Sequence, residues 1–318
     1  MLFISRPLLF LFGLLFALHL SFPSAAQRKG ALTNGTPAVT TADGVSLYVK
    51  ISGSGLPCVL VPGGPGAGTY AYEALAGKPL EEKLQMIYLD PRGSGRSASD
   101  PKKDYSLERQ VQDLEEVRQQ LRLDKWVVMA HSFGGIVATA YAKKHPERVQ
   151  ALILSNCILN LPATMETFTT YGYGVLPAAT RPPLDPATPL PQRWGMVMGL
   201  LHQQGLYNKV QYAHDSTAAR VGRATKGTTR NQEFGSLVFR SPGAYVADQT
   251  EGTAGLTMPV LVLTGKEDYI TGPDHYKSFR FARQQVVVLP GRHYPMLENP
   301  TEFNQAVRTF ISKLPRKA

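Results

Sequence analysis

The sequence predicts an α/β protein whose mostly parallel sheet has eight strands and is covered by helices on both faces. Short apolar runs of strand length alternate along the chain with segments of helical periodicity. The strand runs are apolar at consecutive positions, which is typical of parallel strands buried on both faces. With 318 residues, of which 43% are hydrophobic and 18% charged, the chain suits one large domain that carries an inserted segment.

The N-terminal segment, residues 1–26, predicts a secretory signal peptide. Arg6 is the only charged side chain ahead of the mostly apolar run Leu8–Leu20, and Ser24-Ala25-Ala26 offers a small-x-small cleavage site. The apolar run is shorter than the roughly 18 residues that a membrane-spanning helix needs. We therefore expect an exported protein, periplasmic or extracellular, that begins at Gln27 after cleavage and has no stable membrane insertion. An uncleaved N-terminal anchor is the alternative.

Six predicted strands fall in the first part of the core, residues 27–157. Val39–Thr41 is a candidate strand that precedes the extended amphipathic run Val45–Ile51. Helical periodicity over Leu107–Leu121 follows Ser106, whose residue type is preferred at helix N-caps. The fully apolar strand runs of this part are Cys58–Val61, Met86–Leu89, Trp126–Met129 and Leu152–Leu154.

The alternation of strands and helices stops after Cys157 and resumes about one hundred residues later. Residues 158–255 are rich in Pro, Thr, Tyr and Gly and contain only short helical pieces. The second part of the core, residues 256–318, supplies the strands Pro259–Leu263 and Val286–Leu289 and a terminal helix over 300–313. A block that interrupts a regular sheet in this way predicts an inserted, mainly helical cap over residues 158–255.

Charge and cysteine content exclude several classes of protein. The net charge is +10, but the basic residues form no dense run and no nucleic-acid motif is present, so we expect no nucleic-acid partner. No spacing of His, Cys, Asp or Glu is typical of a metal site. The two cysteines, Cys58 and Cys157, lie at the start of one predicted strand and the end of another, so we expect both to be buried and unpaired. The oligomeric state has no signal in the sequence.

A strand-to-helix turn around Ser132 has the features of a nucleophile elbow. In Ala130-His131-Ser132-Phe133-Gly134-Gly135 the serine follows an apolar strand, precedes a helix-like run and has tiny residues two positions before and after it. Such a turn strains the backbone at the serine, and larger side chains at those two positions would collide with it. The turn would lift the Ser132 hydroxyl off the sheet edge. We expect the same turn to point His131 away, in a structural role.

Two further polar residues follow predicted strands and complete a triad with Ser132. Asp268 lies after the strand that ends at Leu263, and His293 lies after the strand that ends at Leu289. The chain order Ser, Asp, His is one of the three known orders of such triads. In this arrangement an imidazole takes the serine proton, and a carboxylate fixes its tautomer. Glu267 is the neighbouring alternative for the acid.

The carbonyl oxygen that such a serine attacks gains negative charge and needs backbone N–H donors. One predicted donor is Phe133, the residue after the nucleophile, and the other comes from the Gly63-Gly64 turn after the Cys58 strand, where we favour Gly64. The same glycine-rich loop lacks the register of a dinucleotide motif and the Gly-Lys-Ser/Thr of a phosphate loop. The chemistry therefore needs no cofactor.

Several motifs of this chain resemble the α/β-hydrolase superfamily across residues 38–313. The resemblance implies the α/β-hydrolase fold with an inserted cap and a serine hydrolase activity. Within the superfamily, the motifs are similar to the loop His-Gly-Gly-Pro-Gly, the run Asp-Gln-Arg-Gly-x-Gly-x-Ser and the Gly-His…Glu-x-Pro ending of prolyl iminopeptidase-like proteins. The matching residues here are Pro62-Gly63-Gly64-Pro65-Gly66, Asp90-Pro91-Arg92-Gly93-Ser94-Gly95-Arg96-Ser97, and Gly291-Arg292-His293 through Glu298-Asn299-Pro300.

Two positions depart from the prolyl iminopeptidase pattern. Pro62 stands where the loop has His, and Phe133 stands where those peptidases usually carry Trp. The peptidases also hold the free amine of the substrate with acidic residues of the cap. The acidic residues available in this cap are Glu166, Asp185, Asp215, Glu233, Asp248 and Glu251.

The leading functional hypothesis is an exported serine hydrolase that forms an acyl-enzyme on a small ester or amide. Its partner is then a small molecule or a short peptide. A prolyl aminopeptidase and a non-catalytic ligand-binding protein on the same fold are the alternatives. Hydrolysis of a carbon–carbon bond and cofactor-free perhydrolysis share this triad and remain open.

Overall fold

A computed structural model describes residues 32–228 and 230–315 of the chain. The predicted signal peptide, residues 1–26, lies outside the described residues. Within the described ranges, no helix has both the length and the apolar character needed to cross a membrane.

Over the described residues the main sheet has seven strands, and all of its pairings except one are parallel. The strands of the described chain are β1 Val39–Thr40, β2 Ser46–Leu47, β3 Val49–Gly53, β4 Leu56–Val61, β5 Leu84–Leu89, β6 Trp126–His131, β7 Val149–Ser155, β8 Val260–Gly265 and β9 Gln284–Leu289. The order in the main sheet is β3-β5-β4-β6-β7-β8-β9, with only β3 antiparallel to its neighbour. The sequence therefore predicted the mostly parallel character correctly.

In the described residues the sheet has seven strands rather than the predicted eight, because the first predicted strand does not join it. Instead β1 pairs with β2 in a separate two-stranded antiparallel sheet. The Thr41 hydroxyl accepts a hydrogen bond from the Val45 backbone N–H at 3.0 Å, and Gly44 has φ +88°. This tight turn folds the chain back on itself. Beyond β3, only a single bridge from Gly35 to Ile51 extends the main sheet in the described residues.

Successive residues of the central strands alternate between two apolar cores, one on each face of the sheet. Val59 and Val128 pack with residues of the helices Leu107–Gln120 and Gly134–Lys144. On the other face, Leu60 packs with the terminal helix, where Phe303 is fully buried. Burial of a side chain of that size contributes about 2–3 kcal/mol. Both faces are covered, as the unbroken apolar runs predicted.

The described chain between β7 and β8 contains five α-helices, and part of this segment has an apolar cluster of its own. Phe168, Val197, Leu201 and Val210 pack together in that cluster. We call residues 158–255 the cap segment. In chain order the helices are α1 Tyr70–Leu75, α2 Gly77–Glu81, α3 Leu107–Gln120, α4 Gly134–Lys144, α5 Leu161–Val175, α6 Leu190–Gln203, α7 Tyr207–Gln211, α8 Asp215–Ala224, α9 Glu233–Leu237, α10 Pro295–Glu298 and α11 Pro300–Ser312.

Both cysteines are buried and unpaired, as predicted from their strand positions. Cys58 lies in β4, and Cys157 lies two residues after β7. Burial raises the pKa of both thiols above the ordinary value, so neither is a thiolate at neutral pH.

Candidate active site

Ser132 occupies a strained turn at the junction of β6 and α4. Its φ is +54°, in the left-handed region that non-glycine residues rarely adopt, and its backbone N–H donates to the Ser155 carbonyl at 3.2 Å. A Cβ atom at Gly134 would collide with the Val61 carbonyl oxygen. A Cβ atom at Gly63 would lie 2.6 Å from the Ser132 Cβ. Small residues are therefore needed both after the serine and in the loop beside it.

The three residues of the predicted triad form one chain of hydrogen bonds. The Ser132 Oγ lies 2.9 Å from His293 Nε2, and His293 Nδ1 lies 3.1 Å from each carboxylate oxygen of Asp268. Because the carboxylate accepts from Nδ1–H, Nε2 of the neutral ring is left to accept from the serine hydroxyl. All three side chains are at least 95% buried. This arrangement can move the hydroxyl proton onto the imidazole.

Asp268 is held as an ionised carboxylate by the groups around it. Burial opposes its ionisation, but the interaction with His293 and a hydrogen bond from the Thr271 hydroxyl keep the pKa of this carboxyl below its ordinary value. The backbone N–H of Ile270 donates to it at 2.9 Å, and Asn156 Nδ2 donates at 2.5 Å. Asp268 can therefore stabilise an imidazolium at His293.

Glu267, the other candidate for the acid, lies outside this network. Its side chain is 53% exposed, and its ionic partner is Arg292 at 4.0 Å. The structure therefore brings Asp268, and not Glu267, against His293.

His131 has a direct contact with the loop that carries His293, which the sequence did not indicate. Its Nε2 lies 2.9 Å from the His293 carbonyl oxygen, and the centroids of the two imidazole rings are 4.8 Å apart. Burial and the neighbouring His293 lower the pKa of His131 to about 3. The ring is therefore neutral, so it supports the His293 backbone without placing a second positive charge beside an imidazolium.

The two predicted oxyanion donors face the same cavity as the triad. No described residue accepts a hydrogen bond from the backbone N–H of Gly64 or Phe133. Both residues line a cavity of about 260 Å³ together with Ser132 and His293. Gly64 has φ +112°, so a residue with a Cβ would be strained at that position. A developing oxyanion beside Ser132 would require two such N–H donors, so Gly64 and Phe133 remain the predicted pair.

The cavity at Ser132, which we call the inner cavity, adjoins a wider outer cavity of about 660 Å³. Residues that line both include Gly64, Trp194, Tyr207 and Tyr294. The inner cavity is mostly apolar, and its walls come from both the core and the cap segment. The apolar residues that line only the inner cavity are Ile158, Leu161, Met165, Phe168 and Ile270.

Three residues that support the triad could not have been identified from the sequence. Asn156 follows β7 with φ +46° and contacts Asp268, while Thr271 lies three residues after Asp268. His131 supports the His293 loop from the other side. Asn156 and Thr271 belong to no motif, and nothing in the sequence places His131 against the loop that carries His293, so only the three-dimensional arrangement shows their contacts.

Comparison with known proteins gives relatives along most of the chain. A proline iminopeptidase of Saccharolobus solfataricus is 24% identical over 298 residues, which cover 85% of this chain and 90% of that protein. A proline iminopeptidase-related protein from Thermus thermophilus superposes with a TM-score of 0.74 at 22% identity, covering 89% of this chain and 98% of that one. An esterase from Exiguobacterium antarcticum superposes with a TM-score of 0.65 at 20% identity, covering 88% and 100%. The resemblance to prolyl iminopeptidase-like proteins is confirmed.

The family assignment rests on a separate match. Residues 57–300 match the family described as alpha/beta hydrolase fold. This range is more than half of the chain, and it contains Ser132, Asp268 and His293 as well as the cap segment. The chain therefore belongs to the alpha/beta hydrolase fold family.

Proposed function

We propose that this protein is a serine hydrolase that cleaves small uncharged esters through an acyl-enzyme. The observation that carries the proposal is the continuous hydrogen-bonded chain from Ser132 through His293 to Asp268, at the wall of a cavity that Gly64 and Phe133 also line. Membership of a hydrolase family and similarity to iminopeptidases and esterases support it.

The proposed reaction has two steps that use the same groups. His293 Nε2 takes the proton of Ser132 as Oγ attacks the ester carbonyl, and the N–H groups of Gly64 and Phe133 stabilise the oxyanion. The imidazolium then protonates the leaving alkoxide, and the acyl group stays on Ser132. A water molecule, deprotonated by His293, attacks the acyl-enzyme, and the imidazolium then returns this proton to the Ser132 Oγ as the acid is released. Asp268 remains ionised and stabilises the imidazolium in both steps.

The lining of the two cavities favours an uncharged acyl group. No carboxylate among the described residues lines either the inner or the outer cavity. A substrate ammonium that enters the apolar inner cavity would lose its hydration without gaining a counter-charge, at a cost of several kcal/mol. A compact apolar acyl group has no such cost.

The prolyl aminopeptidase alternative is favoured by the names of the relatives but not by the cap carboxylates. Glu166 pairs with Arg193 on the outside, and Glu233 pairs with Lys103 and accepts from Tyr105. The others do not line the cavities either, so no carboxylate of the described cap is placed to receive a substrate amine. The remaining cap carboxylates are Asp185, Asp215, Asp248 and Glu251.

The substrate proposal predicts a strong preference between two esters of nearly equal shape. The p-nitrophenyl esters of isobutyrate and of L-alanine differ at one position, where isobutyrate carries a methyl group and L-alanine carries an ammonium group. For each ester we divide kcat/KM by the rate of spontaneous hydrolysis. We expect this quotient to be about 100-fold higher for isobutyrate, because the alanine ammonium loses about 3 kcal/mol of hydration without compensation, which corresponds to that factor. The matching amide pair is the β-naphthylamides of cyclopentanecarboxylate and proline. Steady-state kinetics of the chain from Gln27 would measure both pairs.

A cavity substitution provides the matched control. Gln211 lines the inner cavity, and Gln211→Glu places a carboxylate there with little change in shape. This variant should shift the preference at least about tenfold towards the alanine ester, since an opposite charge offsets the desolvation cost. Faster release of naphthylamine from proline than from cyclopentanecarboxylate by the unmodified chain would instead establish the aminopeptidase.

Export is proposed from the N-terminal sequence alone. The charged start, the apolar run and the small-x-small site of residues 1–26 support cleavage before Gln27. Expression with the full leader in a secreting bacterial host should yield a periplasmic or extracellular protein whose intact mass begins at Gln27. A protein that keeps residues 1–26 and sediments with the membrane would support the anchor instead.

A further inference from the structure

The loop that carries His293 is bound to the cap segment by one carboxylate. Glu298 is the last residue of α10, and its two oxygens accept from two different parts of the chain. Oε2 accepts from the Arg292 backbone N–H at 2.7 Å, next to the triad histidine. Oε1 accepts from the Ala213 backbone N–H at 2.6 Å, in the cap segment. A single side chain therefore ties both parts together.

Three further hydrogen bonds join the same two segments. The His293 backbone N–H donates to the Gln211 carbonyl at 3.0 Å. The Arg292 guanidinium donates to the carbonyls of Tyr212, at 3.0 Å, and of Lys209. We call this set of contacts, from Glu298, Arg292 and His293 to residues 209–213, the clasp. The clasp therefore holds the backbone of His293 against the cap segment.

One cap residue that the clasp holds is also part of the inner cavity wall. Gln211 of α7 lines this cavity together with Ser132 and His293, and so does Tyr207 of the same helix. Gly291 leaves room for the clasp, because a Cβ there would lie 2.5 Å from the Glu298 Oε2. Glu298 therefore joins Arg292, the residue before His293, to Ala213, which lies two residues after the cavity residue Gln211.

We propose that Glu298 is a positioning residue, which fixes His293 against the cavity wall so that its imidazolium reaches the leaving group. The inference rests on the proposed serine hydrolase function and explains a motif residue that the triad does not use. A displacement of about 1 Å at such a base can reduce the rate about 100-fold. The reaction should depend on the clasp most when the leaving group needs a proton from His293.

The test compares two butyrate esters in the variant Glu298→Gln. An amide offers one oxygen where the carboxylate offers two, so one of the two backbone N–H groups loses its acceptor. The ethyl ester releases a basic alkoxide that must be protonated, whereas p-nitrophenolate leaves without a proton. Because His293 takes the Ser132 proton with both esters, we expect kcat/KM to fall for both, by about 30- to 100-fold for ethyl butyrate and by a factor at least about fivefold smaller for p-nitrophenyl butyrate.

A second variant and a matched control make the result decisive. Arg292→Gln removes the guanidinium contacts of the clasp, so it should also lower kcat/KM more for ethyl butyrate than for p-nitrophenyl butyrate. This second variant tests the proposal if Glu298→Gln does not fold. Glu302→Gln alters an exposed carboxylate at the start of α11 and should leave both rates within about twofold. The midpoint of thermal unfolding would be measured for each variant.

Equal losses on the two esters, or no loss, would overturn the positioning role while leaving the proposed function intact. If the unmodified chain showed no Ser132-dependent turnover, the proposed function would fail, and the role assigned to Glu298 would fail with it.

Discussion

Ser132→Ala is expected to abolish ester hydrolysis, with a loss in kcat of about 10⁵-fold or more. Its hydroxyl lies 2.9 Å from His293 Nε2, and no other described hydroxyl is bonded to that nitrogen. Only the oxyanion donors and substrate binding remain in the variant, and these give a small residual rate. Release of p-nitrophenolate from isobutyrate, followed with the purified variant, would measure the loss.

The control for this substitution is a serine in an exposed turn. Ser54 lies in the turn between β3 and β4, so the kcat of Ser54→Ala should stay within about twofold of that of the unmodified chain. Both variants should unfold at nearly the same temperature as the unmodified chain. Turnover by Ser132→Ala above about 1% of the unmodified rate would mean that another group is the nucleophile.

Asp268→Asn is expected to reduce kcat by about 10⁴-fold while leaving the fold intact. The carboxylate accepts from His293 Nδ1–H, and an amide nitrogen at that position would favour the tautomer with its proton on Nε2. A protonated Nε2 cannot take the Ser132 proton. The variant also loses the negative charge that stabilises the imidazolium. Steady-state kinetics with the same ester would measure the effect.

Glu267→Gln is the matched control, because Glu267 is the adjacent carboxylate and the rival for the acid. It is exposed, and its described contacts do not include His293. We expect kcat within about twofold of the unmodified chain. A large loss in Glu267→Gln together with a small loss in Asp268→Asn would reverse the assignment of the acid.

The positions of the triad could be predicted because each residue follows a strand whose apolar run is readable in the sequence. Parallel strands bring their carboxyl ends to one edge of the sheet, so Ser132, Asp268 and His293 meet there although they are far apart in the chain. The small residues around Ser132 were predictable for a steric reason, which the close approach of Gly134 to Val61 bears out.

Other parts of the structure depend on contacts that residue type alone does not determine. The described sheet has seven strands rather than eight because a local turn pairs Val39–Thr40 with Ser46–Leu47, and neither run is long enough for periodicity to show its partner. Asn156 and Thr271 contact Asp268 without belonging to a motif. The lining of the cavities by the cap segment depends on how short helices pack, so the sequence listed candidate carboxylates but could not place them.

Activation of Ser132 by His293 can be measured by covalent labelling of the folded chain with a fluorophosphonate, followed by mass spectrometry of its peptides. The proposed activation of Ser132 by His293 predicts one phosphonyl group, located on Ser132, and a labelling rate that falls at least about 1,000-fold in His293→Ala. Absence of label on Ser132 in a folded chain, or equal labelling in His293→Ala, would show that His293 does not activate Ser132 and would favour a ligand-binding protein without catalysis.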